Sequence, residues 1–203
     1  MSGCRHADRD KIIRRATPHV PTNLHVVDQL PGNFQRVIVL PCHHEPEDEL
    51  LIDYVDVVFR QELTKRRAFE PVFLSREELR RMIGKTQLTP QDKLPENFLA
   101  RLLFKYPGVD GVMFLEIFGY RAYKPLALGV RGKLVDLRSG DFIWAIDETF
   151  DAGNASVISA AENFQRREQV TTFSRHSHGS VLSSPRAFTK YVADATFGTL
   201  PGR

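Results

Sequence analysis

Two pairs of histidines are the first candidates for chemistry in this 203-residue chain. His43 and His44 follow an aliphatic run, and His176 and His178 lie in a serine-rich stretch near the carboxyl end. Imidazole binds transition metals and shuttles protons near neutral pH, so a metal-dependent or hydrolytic site is the chemistry these residues could support. Their spacing argues against it. Neighbouring side chains of an extended segment point to opposite sides, so His43 and His44 grip one metal only if the loop turns sharply. His176 and His178, two apart, can face the same way, but a four-ligand zinc site needs both pairs to meet in space. Solvated loop histidines account for all four. Ser174, Ser177, Ser180, Ser183 and Ser184 lie near the second pair, yet the groups that orient a nucleophile come from across a fold. No Gly-x-Ser-x-Gly elbow occurs either. Asp147, Glu148 and Asp151 offer a paired-carboxylate site, but Asp147 and Glu148 project from opposite faces of a strand. The stretch Cys42-His43-His44-Glu45-Pro46-Glu47 has no glycine and is acidic, so it repels a phosphate instead of cradling it. These residues point to a non-enzymatic chain with no cofactor and no metal.

Composition sets the wider bounds. A hydrophobic fraction of 42% supports a sizeable core, and 26% charged residues is ordinary. A net charge of +3, with acids and bases interspersed, does not argue for nucleic acid. No stretch approaches the roughly 20 apolar residues that span a bilayer as a helix. Two cysteines do not make a disulfide framework, and Cys42, closing an aliphatic run, reads as a small buried hydrophobe. Cys4 differs. Ser2-Gly3-Cys4 resembles the end of a bacterial lipoprotein signal, in which small residues precede the lipid-bearing cysteine, although the charged and apolar parts of such a signal do not stand before it here. Residues 5–34 are polar and carry Pro18, Pro21, Pro31 and Gly32, a composition suited to a tether. The expected organisation is a flexible leader over 1–34 and one α/β domain over 35–203.

The elements that would position these residues follow from periodicity. Gln35–Pro41 reads as a first strand. A helix is expected from about Pro46 to Arg67, with Leu51, Tyr54, Val55, Val58, Phe59 and Leu63 on one stripe. Glu70–Leu74 is a short strand, placed near an edge because Pro71 lacks a ladder donor. Ser75 and Glu78 form a capping-box pattern opening a helix to Ile83. A helix follows Pro95, with Phe98, Leu99, Leu102, Leu103 and Tyr106 facing inward. Gly111–Tyr120 is apolar enough for a central strand covered on both faces. Residues 126–136 and 142–146 alternate as a hairpin, with Arg131 and Lys133 outward and Phe142, Trp144 and Ile146 on one face. Helices over 155–167 and from Ser184-Pro185 complete the order β-α-β-α-α-β-β-β-α-α, a mixed sheet flanked by helices.

Four segments in that order resemble the superfamily of the TolB amino-terminal domain, the curli-secretion lipoprotein (CsgG-like) and the lipoprotein activators of penicillin-binding proteins. They are Arg36-Val37-Ile38-Val39-Leu40-Pro41, Leu63–Val72, Asp110-Gly111-Val112-Met113, and Leu134–Trp144 with its Val135-Asp136 and Gly140. The resemblance spans roughly 35–165. It implies a TolB-like mixed-sheet α/β fold and a non-enzymatic lipoprotein of the cell envelope. On that reading Cys4 is the lipid anchor, most simply in the outer membrane facing the periplasm, and the partner is another envelope protein, with no nucleic acid. A cytoplasmic α/β domain is the alternative location. The stretches between strands are too short and too charged to add membrane-spanning hairpins, so a secretion channel is not expected. Tyr120, Tyr123 and Phe173, in or next to turns, are the candidate partner-binding aromatics.

Overall fold

The structure, a computed structural model, describes residues 16–44, 52–92, 97–171 and 180–203. Its elements are β1 (Leu24–Val26), β2 (Arg36–Val39), α1 (Ile52–Arg66), β3 (Glu70–Phe73), α2 (Arg76–Ile83), α3 (Phe98–Lys105), β4 (Gly111–Arg121), β5 (Ala127–Asp136), β6 (Phe142–Asp151), α4 (Ala155–Thr171) and α5 (Pro185–Phe197), with a 3₁₀ turn at Val181–Ser183. The six strands form one mixed sheet in the order β1-β6-β5-β4-β2-β3. β3, β2 and β4 run parallel, while β4, β5, β6 and β1 pair antiparallel. This is the mixed α/β architecture expected from the sequence.

Strand order explains where the helices lie. From β2 the chain crosses through α1 to β3 on one side, then returns through α2 and α3 to β4 on the other side of β2. Right-handed crossovers running in opposite directions deposit their helices on opposite faces. Accordingly, alternate residues of β2 and β4 enter two separate cores. Val37, Val39, Met113 and Leu115 pack with α1, α4 and α5, whereas Ile38, Leu40, Val112 and Phe114 pack with α2 and α3. β4, deep in the sheet, is buried on both faces from Gly111 to Leu115, as its continuous apolar run requires. β3 is an edge strand, as Pro71 demands.

Local signals hold at several ends. Ser75 accepts from the Glu78 amide while the Glu78 carboxylate accepts from the Ser75 amide, and Gly84 closes α2 in the left-handed region at φ 76°. Ser184 caps α5, with Pro185 in its first turn. Cys42 is buried.

Three expectations change. The sheet takes in Leu24–Val26, which the sequence places in the leader. This three-residue strand pairs with β6 at Leu24–Ile146 and Val26–Trp144, and its length gives almost no periodic signal. In α3, Phe98 and Leu102 are buried but Leu99 and Leu103 are exposed, because the helix is apolar on more than the one face it packs. On β6, Phe142 leaves the face of Trp144 and Ile146. A register shift pairs Leu134 with Trp144 but Val135 with Phe142, so Ile143 joins the core and Phe142 turns to the opposite side, 54% exposed.

Candidate functional site: the uncovered half of the sheet

The helices cover the two faces unequally. Opposite the α1/α4/α5 layer, α2 and α3 lie over β2 and β4, while β5, β6 and β1 carry no packed helix there among the described residues. An open groove of about 390 Å³ runs over this half, walled by Pro90 and Gln91 of the α2–α3 connection and reaching His25 on β1. Its floor is set by register. Glu116, Arg131 and Asp147 are cross-strand partners on β4, β5 and β6, and Phe114, Lys133, Ala145 and His25 form the next row. Both rows follow from the alternation that sends Leu115, Leu134 and Ile146 the other way.

The first row is a closed charge network. Arg131 donates from Nε to Asp147 Oδ2 at 2.7 Å and from Nη1 to Glu116 Oε2 at 2.9 Å, and its guanidinium lies 4.7 Å over the Phe118 ring. The hydrogen bond to Asp147, helped by that to Glu116, holds the Arg131 pKa above its ordinary value. The Gln91 amide completes the row when its nitrogen faces Glu116 (3.1 Å) and its oxygen faces Arg131 Nε (2.8 Å). Gly129 lets the Phe118 ring lie across β5, since a Cβ there would sit 2.4 Å from Cε2 of the ring. One guanidinium between two carboxylates leaves the row a single net negative charge, with Arg131 itself fully engaged.

Lys133 is the opposite case. Its Nζ lies 4.9 Å from the Phe114 centroid and 5.6 Å from that of Phe142, and no carboxylate pairs with it among the described residues. Desolvation alone depresses its pKa. A cation held between rings at the edge of a groove, beside a half-exposed phenylalanine, is a surface that gains from being covered by a partner.

The sequence candidates fall in different places. His43 extends β2 beside β4 through backbone hydrogen bonds to Leu115 and Ile117, with its Nδ1 3.7 Å from Glu116 Oε1. Burial lowers its pKa, so it is neutral at pH 7. His44 is buried, which corrects the expectation of a solvated loop histidine: the segment after β2 runs on beside β4 and is covered there. His176 and His178 lie outside the described residues, as do Phe173 and Cys4, and no group of three or more metal-ligating side chains occurs among the described ones. Burial, reinforced by Asp56, raises the Cys42 thiol well above its ordinary pKa, the reverse of an activated nucleophile. Asp147 serves Arg131, while Glu148, on the other face, accepts from the Thr22 amide at 2.8 Å. Tyr120 is half-buried and shares a 2.6 Å hydrogen bond with the Tyr54 hydroxyl. Tyr123 is 74% exposed in the β4–β5 turn. Phe142 was missed because the bulge that turns it outward leaves no mark in an alternating sequence. Lys133 was legible, as an outward lysine in a buried hairpin.

No protein-family model matches the sequence, and no curated protein matches it. Solved structures do share the fold. PelC from Paraburkholderia phytofirmans, a dodecamer, superposes with a TM-score of 0.52 at 10% identity, covering 89% of this chain and 98% of that one. The lipoprotein GNA1162 from Neisseria meningitidis matches at 15% identity with a TM-score of 0.45, over 68% of this chain and 98% of that one. The carboxyl-terminal domain of LpoB from Salmonella enterica matches at 16% identity with a TM-score of 0.39, over 70% and 90%. At such identities the likeness is one of backbone path. No helix among the described residues is long and apolar enough to cross a membrane.

Proposed function

We propose that this chain is a non-enzymatic protein-interaction module of the bacterial cell envelope, tethered by a lipid on Cys4 and facing the periplasm from the outer membrane. It docks an envelope protein on the uncovered half of its sheet. The observation that carries the docking reading is that half-sheet itself, where Phe142 is 54% exposed beside Lys133, a cation with no carboxylate partner among the described residues. An open aromatic next to a desolvated lysine is the composition of a contact surface, and Arg131, bound by two carboxylates, keeps the floor rigid beneath it. The backbone likeness to PelC, which assembles as a dodecamer, supports use of this fold for assembly. The small-residue approach to Cys4 supports the tether.

A photo-cross-linking residue at position 142, in cells making the full chain, tests the docking. We expect a discrete adduct with an envelope protein from position 142 and none from position 170, where Val170 is 81% exposed on α4 across the sheet. Adducts from both positions, or from neither, refute it. The tether is tested separately: a labelled fatty acid should be incorporated by the chain and lost on Cys4→Ala.

A further inference from the structure

α3 is apolar nearly all round, with the sequence Phe-Leu-Ala-Arg-Leu-Leu-Phe-Lys. A helix of that kind belongs inside a protein, yet only Phe98 and Leu102 are buried. Leu99 and Leu103 form one i,i+4 row, and Ala100 and Phe104 the row beside it. All four are exposed, Phe104 at 92%. These two rows make one continuous apolar strip on the outside of the molecule, and no described element covers it.

Charge identifies what fits there. Residues 76–105, which contain α2 and α3, hold seven basic and four acidic side chains, a net of +3 that equals the formal charge of the whole chain. The rest of the molecule is therefore neutral by the same count. Arg80 and Arg101 meet no carboxylate among the described residues, Arg101 donating only to the Met82 carbonyl. Two copies of this layer placed face to face would bring like charges together, which disfavours self-association through it. An apolar strip on a layer of net positive charge, with Arg101 of the same helix meeting no carboxylate among the described residues, is instead the pattern that settles into the headgroup region of an anionic bilayer, with the aromatic ring at the acyl boundary. We infer that the outer face of the α2–α3 layer binds an anionic phospholipid surface, with Phe104 as the inserting side chain and Arg101 as its charge partner.

Flotation of the full 203-residue chain, carrying no lipid on Cys4, with vesicles of phosphatidylcholine with and without phosphatidylglycerol tests this. The chain should float only with the anionic vesicles, and less as salt is added. Phe104→Ser should weaken partition about tenfold, and Arg101→Ser about fivefold. Val170→Ser, across the sheet, should leave it unchanged. Because Phe104 is 92% exposed among the described residues, its replacement should not shift the thermal midpoint, which separates lost binding from lost folding. Equal partition onto neutral vesicles, no flotation at all, or a Phe104-dependent dimer in light scattering that does not float would each overturn the inference. None of these outcomes bears on docking at the sheet, which is read from position 142.

Discussion

On one face of the sheet Trp144 is fully buried among side chains of the sheet and its helices, and its indole Nε1 donates to Thr199 Oγ1 at 2.8 Å. Two residues earlier on the same strand, Phe142 stands half in solvent on the other face. The covered face is closed by α1, α4 and α5 and by a cluster of edge-to-face rings, Phe150 and Tyr191 at 5.9 Å and Phe59 and Phe197 at 5.6 Å. Among the described residues, the opposite face is closed only over β2 and β4. The difference separates two uses of apolar area: one face holds the fold together, and the other is left for contact. Substitutions on the two faces should therefore move different observables.

The largest effect is expected on the covered face. Trp144→Ala removes a fully buried indole and its hydrogen bond, and should cost about 3–5 kcal/mol in denaturant unfolding. A loss near 1 kcal/mol would mean that this face is not the structural one. Gly132 supports the same packing, since a Cβ there would sit 2.8 Å from the Trp144 ring.

Next comes the buried carboxylate that ties the start of β4 to its neighbours. Asp110 accepts from the amides of Gln35 at 2.8 Å and Arg36 at 3.0 Å, and from Arg138 Nη2 at 2.6 Å. Burial by itself would raise its pKa, but the two amides and the arginines outweigh it, and the net shift is downward. Its contribution is present above the ordinary carboxylate pKa and is lost as pH falls through the depressed folded value. Asp110→Ala strands two amides and should cost about 3 kcal/mol at pH 7.

A smaller effect belongs to the cap of α2. Hydrogen bonds from Lys105, then from the Ser75 amide and hydroxyl, hold Glu78 down to about 2. This stabilisation is complete above the ordinary glutamate value and should fade between roughly pH 4.5 and 2. Glu78→Ala should cost about 1 kcal/mol at pH 7 and flatten the acid limb of the stability–pH curve. An unchanged acid limb would remove Glu78 from the acid response.

How much of this was legible follows from how each feature is encoded. The central strand, the capping box and the outward Arg131 and Lys133 are local patterns, and the sequence shows them. The pairing of β1 with β6 joins residues 122 positions apart at Leu24 and Ile146 through a three-residue strand, too short to carry a period. Leu99 and Leu103 were read as inward because periodicity reports which residues are apolar, not which face finds a partner. The open half-sheet could not be read at all. It depends on where α2 and α3 come to rest, which crossover direction decides and composition does not.

Phe142 is where that unreadable feature becomes measurable. Its ring has about half its surface in water, packs on no helix among the described residues, and meets the Lys133 ammonium at 5.6 Å. Phe142→Ser should therefore change stability by no more than about 0.5 kcal/mol, as exposed substitutions do. Denaturant unfolding of the full chain reads that change without any partner present. If stability instead falls as far as in Trp144→Ala, then β6 is buried on both sides, and the contrast between the two faces does not exist.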